Sequence, residues 1–225
     1  MSRPIVNPSL ASRHFPARES RARGLVVLFH GLGSSSDDMV PLAEIWQNAM
    51  PDLAFESVDA PELYDLAPPE FGGRQWFSMR ESSMNQMLLG AEATSPLVHQ
   101  HLDQSLADLG LTDRDLALVG FSQGAMMALH VGLRRKAQVG AIVGYSGLLL
   151  ATTETPSELH FKPPILLVHG TDDPVVPFAA MAAAASLLST CLIPVETLSC
   201  PGVGHTIDQS GIVNGASFLR QSLNG

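Results

Sequence analysis

The chain has 225 residues, 45% of them apolar, which is enough for one sizeable core and excludes a disordered polymer. Thirteen basic against 22 acidic residues give a formal charge of −9, which argues against a nucleic-acid partner, because such binding needs a basic face to displace counterions. Cys191 and Cys200 stand outside any metal-ligand spacing and Pro4, Pro8 and Pro16 interrupt the N-terminus, so the chain reads as cytoplasmic, with two structural thiols, no secretory leader and no stable membrane insertion.

Residues 1–23 read as an arm that holds five of the bases among Pro and Ser. Apolar runs then recur at Leu25–Phe29, Ala54–Val58, Leu116–Phe121, Val139–Tyr145, Ile165–His169 and Val195–Leu198. Runs apolar on both faces suit strands buried in a parallel sheet. Between them the pattern predicts helices over Asp38–Met50, Ser95–Leu109, Gln123–Lys136, Pro177–Ser189 and Ile207–Leu223. Strand alternating with helix predicts an α/β fold, one domain over 1–225. The stretch 61–93 breaks the alternation with Pro68-Pro69, Gly72-Gly73 and an aromatic cluster, and is expected to be an inserted loop region over one sheet edge.

Gly120-Phe121-Ser122-Gln123-Gly124 fits G-x-S-x-G, a weak signal alone. Its context is stronger: a strand runs straight into the serine and a small-residue helix leaves it, as a nucleophile elbow requires. Gly144-Tyr145-Ser146-Gly147 imitates the pattern but has Leu148 where the last glycine should stand, so Ser146 reads as a turn residue. A serine hydroxyl needs a base, and the base needs an orienting carboxylate. In this fold they follow the serine in the order acid, then histidine. Strand Ile165–His169 leads into Asp172-Asp173-Pro174-Val175-Val176-Pro177, where either aspartate could serve. The last strand leads into a glycine-rich loop with one histidine, His205, the expected base. Of the other seven, His14, His99, His130 and His160 read as surface groups, His101 flanks a helix stripe, and His30 and His169 orient loops by hydrogen bonding.

A tetrahedral oxyanion needs two preorganised N–H donors. The elbow supplies the amide of Gln123, and His30-Gly31-Leu32-Gly33 supplies that of Leu32. Gly31-x-Gly33 is no dinucleotide fingerprint, since Ser36 stands where the third glycine belongs.

These motifs, in this order and with Gln75-Trp76-Phe77 in the insert, closely resemble the phospholipase/carboxylesterase family of α/β-hydrolases over about Gly24 to Leu223. The resemblance implies an α/β-hydrolase fold, a mostly parallel central sheet flanked by helices, with a short insert and no large lid. It selects Asp173, the first residue of D-x-x-V-P, as the acid. It implies hydrolysis of short- to medium-chain (thio)esters through an acyl-enzyme on Ser122, with no metal or cofactor. Acyl-protein thioesterase or lysophospholipase is the alternative within the family, and a ligand-binding pseudohydrolase the alternative outside it. It places an apolar acyl groove near Leu32, Leu63, Tyr64, Phe71, Trp76, Phe77 and Met79; simple loop anchoring competes on equal terms. Members are often homodimers, though no interface is legible here. From Gly24 to Gly73 there are nine acids and no Lys or Arg, a field that should disfavour anionic substrates such as acyl-CoA unless Arg74 and Arg80 reverse it.

Overall fold

The computed structural model describes residues 10–19, 21–152, 155 and 159–223. Its main sheet has strands β1 (Ser12–Phe15), β2 (Gly24–Phe29), β3 (Leu53–Val58), β6 (Leu116–Phe121), β7 (Ala141–Tyr145), β8 (Ile165–Gly170) and β9 (Val195–Cys200). They stand in the order β1-β3-β2-β6-β7-β8-β9, all parallel except β1, which pairs antiparallel with β3. Helices α1 (Val40–Ala49), α2 (Met84–Leu109), α3 (Gln123–Gly132), α4 (Ala179–Thr190) and α5 (Gln209–Leu223) cover it.

Alternation along β2 explains why both faces are covered. Leu25, Val27 and Phe29 enter one apolar cluster with residues of α2, α3 and α4, whereas Val26 and Leu28 enter the other with Leu42 and Trp46 of α1 and Phe218 and Leu219 of α5. A strand buried on both faces has no polar side to offer water. Helix α3 is buried all round, as a sequence of small and apolar residues interrupted only by Gln123 and His130 allows. Gly132 lets it lie close to β7, since a Cβ there would come within 2.6 Å of Ile142 Cδ1. Cys191 and Cys200 are both free, and burial pushes the Cys200 thiol up to about 11, with Asp208 adding to the effect.

Three expectations need correction. Strand β1 was not expected, and it pairs the arm to β3. Helix α2 begins at Met84, not Ser95: Ser83 caps it by accepting the N–H of Gln86, and Pro96 lies inside it, on an exposed side. The insert does not run along a sheet edge, for the edges are β1 and β9. It forms a two-stranded hairpin, β4 (Glu62–Leu63) with β5 (Arg74–Gln75), bonded to the loop after β2.

The chain crosses from β3, on one side of β2, to β6 on the other. The loops after β2 and β6 therefore diverge at the carboxyl end of the sheet, where open α/β sheets form their crevice.

Candidate active site

Phe29 pairs with Gly120 across β2 and β6, which sets the loop 30–34 beside Ser122. Ser122 has φ 54° and ψ −118°, a conformation costly for a residue with a side chain. It persists because the glycines around it let the backbone fold tightly: a Cβ on Gly120 would sit 2.2 Å from Gly124 O, and one on Gly124 would sit 2.1 Å from Phe29 O. Ser146, which imitates the elbow, also has positive φ and is buried, but His205 bonds Ser122 instead.

His205 Nε2 lies 3.0 Å from Ser122 Oγ, and His205 Nδ1 lies 2.8 Å from Asp173 Oδ2. The other Asp173 oxygen accepts the N–H groups of Val175 and Val176, each at 2.9 Å. Burial alone would raise the Asp173 carboxyl; the His205 ring and the two amides outweigh it and hold the group below the ordinary carboxylate range. Asp172 is exposed and bonded by the Thr171 hydroxyl, so of the two aspartates it is Asp173 that the structure brings to His205. His169, buried behind the acid, lies 2.9 Å from Val176 O and 3.3 Å from Asp173 Oδ2. The arrangement can take a proton from the hydroxyl and keep the imidazolium compensated.

Leu32 and Gln123 line one cavity together with Ser122. Gln123 opens α3, so its N–H has no intrahelical acceptor. The Gly31–Leu32 peptide is clamped from behind by His30. Burial, against a weaker pull from Gly31, keeps the His30 ring below its ordinary pKa and hence neutral. The Ala60 N–H donates to His30 Nε2 at 3.0 Å, which leaves the proton on Nδ1, and Nδ1 donates to Gly31 O at 2.7 Å. Holding that carbonyl turns the Leu32 N–H of the same peptide unit the opposite way. A Cβ on Gly31 would lie 3.2 Å from Phe121 Cδ1, tighter than an ordinary contact, so a side chain there would have to displace that ring.

Two cavities meet at this point and, among the described residues, share only Leu32, Ser122 and His205. One, about 380 Å³, is walled by Met79, Met87, Met126, Leu148 and Val176. The other, about 420 Å³, is walled by Asp38, Pro41, Ile45, Phe121, Ile207 and Ile212. Leu32 and Met79 of the expected groove are present, but Leu63, Phe71, Trp76 and Phe77 line neither cavity. Trp76 and Phe77 are buried in the core, and Leu63 and Phe71 are 54% and 62% exposed on the insert. Two wall residues carry no signal in the sequence: Met87 falls in the stretch expected to be loop, and Ile45 is one apolar position of a predicted helix.

The histidines divide differently from the expectation. His14 and His160 are exposed, but His130 is 2% exposed inside α3, and His101 is buried with Nε2 2.8 Å from Glu56 Oε1. Among the described residues no group of three or more His, Cys, Asp or Glu could hold a metal, and no helix is long and apolar enough to cross a membrane.

Comparison with known proteins gives one answer over most of the chain. Residues 14–223 match the family model described as phospholipase/carboxylesterase. Acyl-protein thioesterase 1 of Gibberella zeae is 27% identical, over 93% of this chain and 94% of its own. Esterase YpfH of Escherichia coli is 27% identical over 90% of this chain and 84% of its own. The crystal structure of esterase PE8 superposes with a TM-score of 0.90 at 37% identity, over 95% of this chain and 99% of that one. The strand order, the elbow at the carboxyl end of β6 and the sequence match thus agree, and the protein belongs to the phospholipase/carboxylesterase family of α/β-hydrolases.

Proposed function

We propose that this ester hydrolase is a serine carboxylesterase that cleaves neutral short- to medium-chain esters and thioesters through an acyl-enzyme on Ser122. The observation that carries the reading is the unbroken relay from Asp173 through His205 to the strained Ser122, at 2.8 and 3.0 Å. His205 takes the hydroxyl proton as Ser122 Oγ attacks the carbonyl carbon. The Leu32 and Gln123 N–H groups receive the oxyanion. The tetrahedral intermediate collapses, the C–O or C–S bond breaks, and His205 returns its proton to the leaving group. Water, deprotonated by the same imidazole, then releases the acid.

The methionine-walled cavity suits the acyl chain, because unbranched thioethers adapt to chains of different length. The cavity beside Asp38 then takes the leaving group. Its carboxylate repels anionic alcohols and thiols. The relative named acyl-protein thioesterase makes an S-acylated protein the second substrate to test.

The decisive experiment is hydrolysis of p-nitrophenyl esters from C2 to C12, wild type beside Ser122→Ala. The variant should lose turnover and fluorophosphonate labelling while keeping its melting temperature. A variant that still turns over ester would remove Ser122 from the mechanism.

A further inference from the structure

The two donor loops come from different elements, and one residue outside both ties them together through its side chain and its backbone. Trp76 donates its indole N–H to His30 O at 2.9 Å and its backbone N–H to Gln123 Oε1 at 2.9 Å. The Gln123 carboxamide completes the pairing by donating to Phe77 O at 2.8 Å. Behind it, the Thr94 hydroxyl donates to Trp76 O at 2.7 Å, fixing the brace to α2. All four contacts are buried, and the Trp76 ring packs edge-on against Phe29 at 5.0 Å.

We propose that Trp76, acting with the Gln123 carboxamide, is a positioning residue that sets the spacing between the Leu32 and Gln123 N–H groups. The inference rests on the serine-hydrolase reading and deepens it. His30 clamps the Gly31 carbonyl through its ring, so whatever holds the His30 backbone holds the Leu32 donor. Trp76 holds that backbone with its indole and the Gln123 side chain with its amide. Packing alone would be met by phenylalanine, which lacks the indole donor. The insert thereby shapes the site from behind, although Trp76 touches neither cavity.

A brace of this kind acts on the transition state, because only there does the carbonyl oxygen carry charge. Trp76→Phe should lower kcat at least tenfold with KM within twofold, and weaken a trifluoromethyl ketone inhibitor, whose adduct carries an oxyanion, by the same factor. Affinity for the methyl ketone of equal length, which places no charge in the site, should not change. Thr94→Val should show the same coupled losses at about threefold, and it carries the test if Trp76→Phe does not fold. The proposal is overturned if kcat stays within twofold of wild type well below the melting temperature, or if KM alone rises. Ser122→Ala separates the two levels. Activity surviving in it would remove the reading beneath the brace, whereas an inactive Ser122→Ala beside an unaltered Trp76→Phe removes the brace alone.

Discussion

Asp173 uses one oxygen for His205 and the other for the Val175 and Val176 amides, so its direction is set by its own loop. Asn at this position would keep the shape but offer an N–H toward His205, favouring the wrong imidazole tautomer. Asp173→Asn should lower kcat by about 10³–10⁴-fold with a nearly unchanged melting curve. Steady-state kinetics beside thermal unfolding check this, and a loss below tenfold would show that the carboxylate charge is dispensable. Gly124→Ala is the steric counterpart: its methyl would need the space that Phe29 O occupies, so activity and stability should fall together. Circular dichroism melting and ester turnover on one preparation test it. At this scale two of the three residues that the structure brings together, Ser122 and His205, were legible because chain order and turn chemistry each select few residues, whereas Asp173 was separated from Asp172 only by the family resemblance. The groove was not, because an aromatic in a loop declares its apolarity and not its direction. Trp76 is turned inward by acceptors at His30 and Gln123, far away in the chain.

Helix α3 carries the elbow and pays for its central place with one buried histidine. His130 Nδ1 finds no hydrogen-bond partner among the described residues, and burial, assisted by Arg134 and His99, pulls the ring down to about 3. The unfolded chain takes that proton near pH 6.5, the folded chain only near 3. Between those values the unfolded state binds more protons, so stability is present above pH 6.5 and is lost as the pH falls through the window. The slope approaches about tenfold in the unfolding constant per pH unit. His130→Met should therefore flatten the dependence between pH 6.5 and 4. Urea unfolding at both pH values measures it, and parallel slopes in the two proteins would refute the assignment. The same element scale explains what periodicity could and could not give. Strands apolar on both faces announced themselves. Strand β1, Ser-Arg-His-Phe at an edge, has no apolar run to announce it, and Pro96 disguised a helix that tolerates one missing N–H on its exposed side.

Over the whole molecule the charge is uneven, and the structure removes the cations that could offset it near the site. Arg80 is engaged by Asp65, while Arg74 donates to Ala60 O and lies 3.7 Å from Asp59. The acidic stretch that includes Asp37 and Asp38 therefore keeps its sign, tempered at Asp37 by Arg13 at 2.7 Å. At low salt kcat/KM for a neutral ester should exceed that for the matching acyl-CoA by about tenfold or more, and the gap should narrow as screening grows. A reversed order would count against the charge argument. The fold class was legible at this scale because alternation of strand and helix leaves few topologies, whereas the two cavities were not, since each is walled by residues from distant parts of the chain. Their separateness has a consequence for kinetics. If each chamber takes one half of the substrate, as proposed above, the two halves meet only at Leu32, Ser122 and His205 among the described residues, so acyl and alcohol preferences should combine as factors. In a grid of acids against alcohols, each row of log kcat/KM runs parallel to the next. Enlarging one chamber then moves a single axis of that grid, which lets the enzyme change the acid it favours without relearning the alcohol.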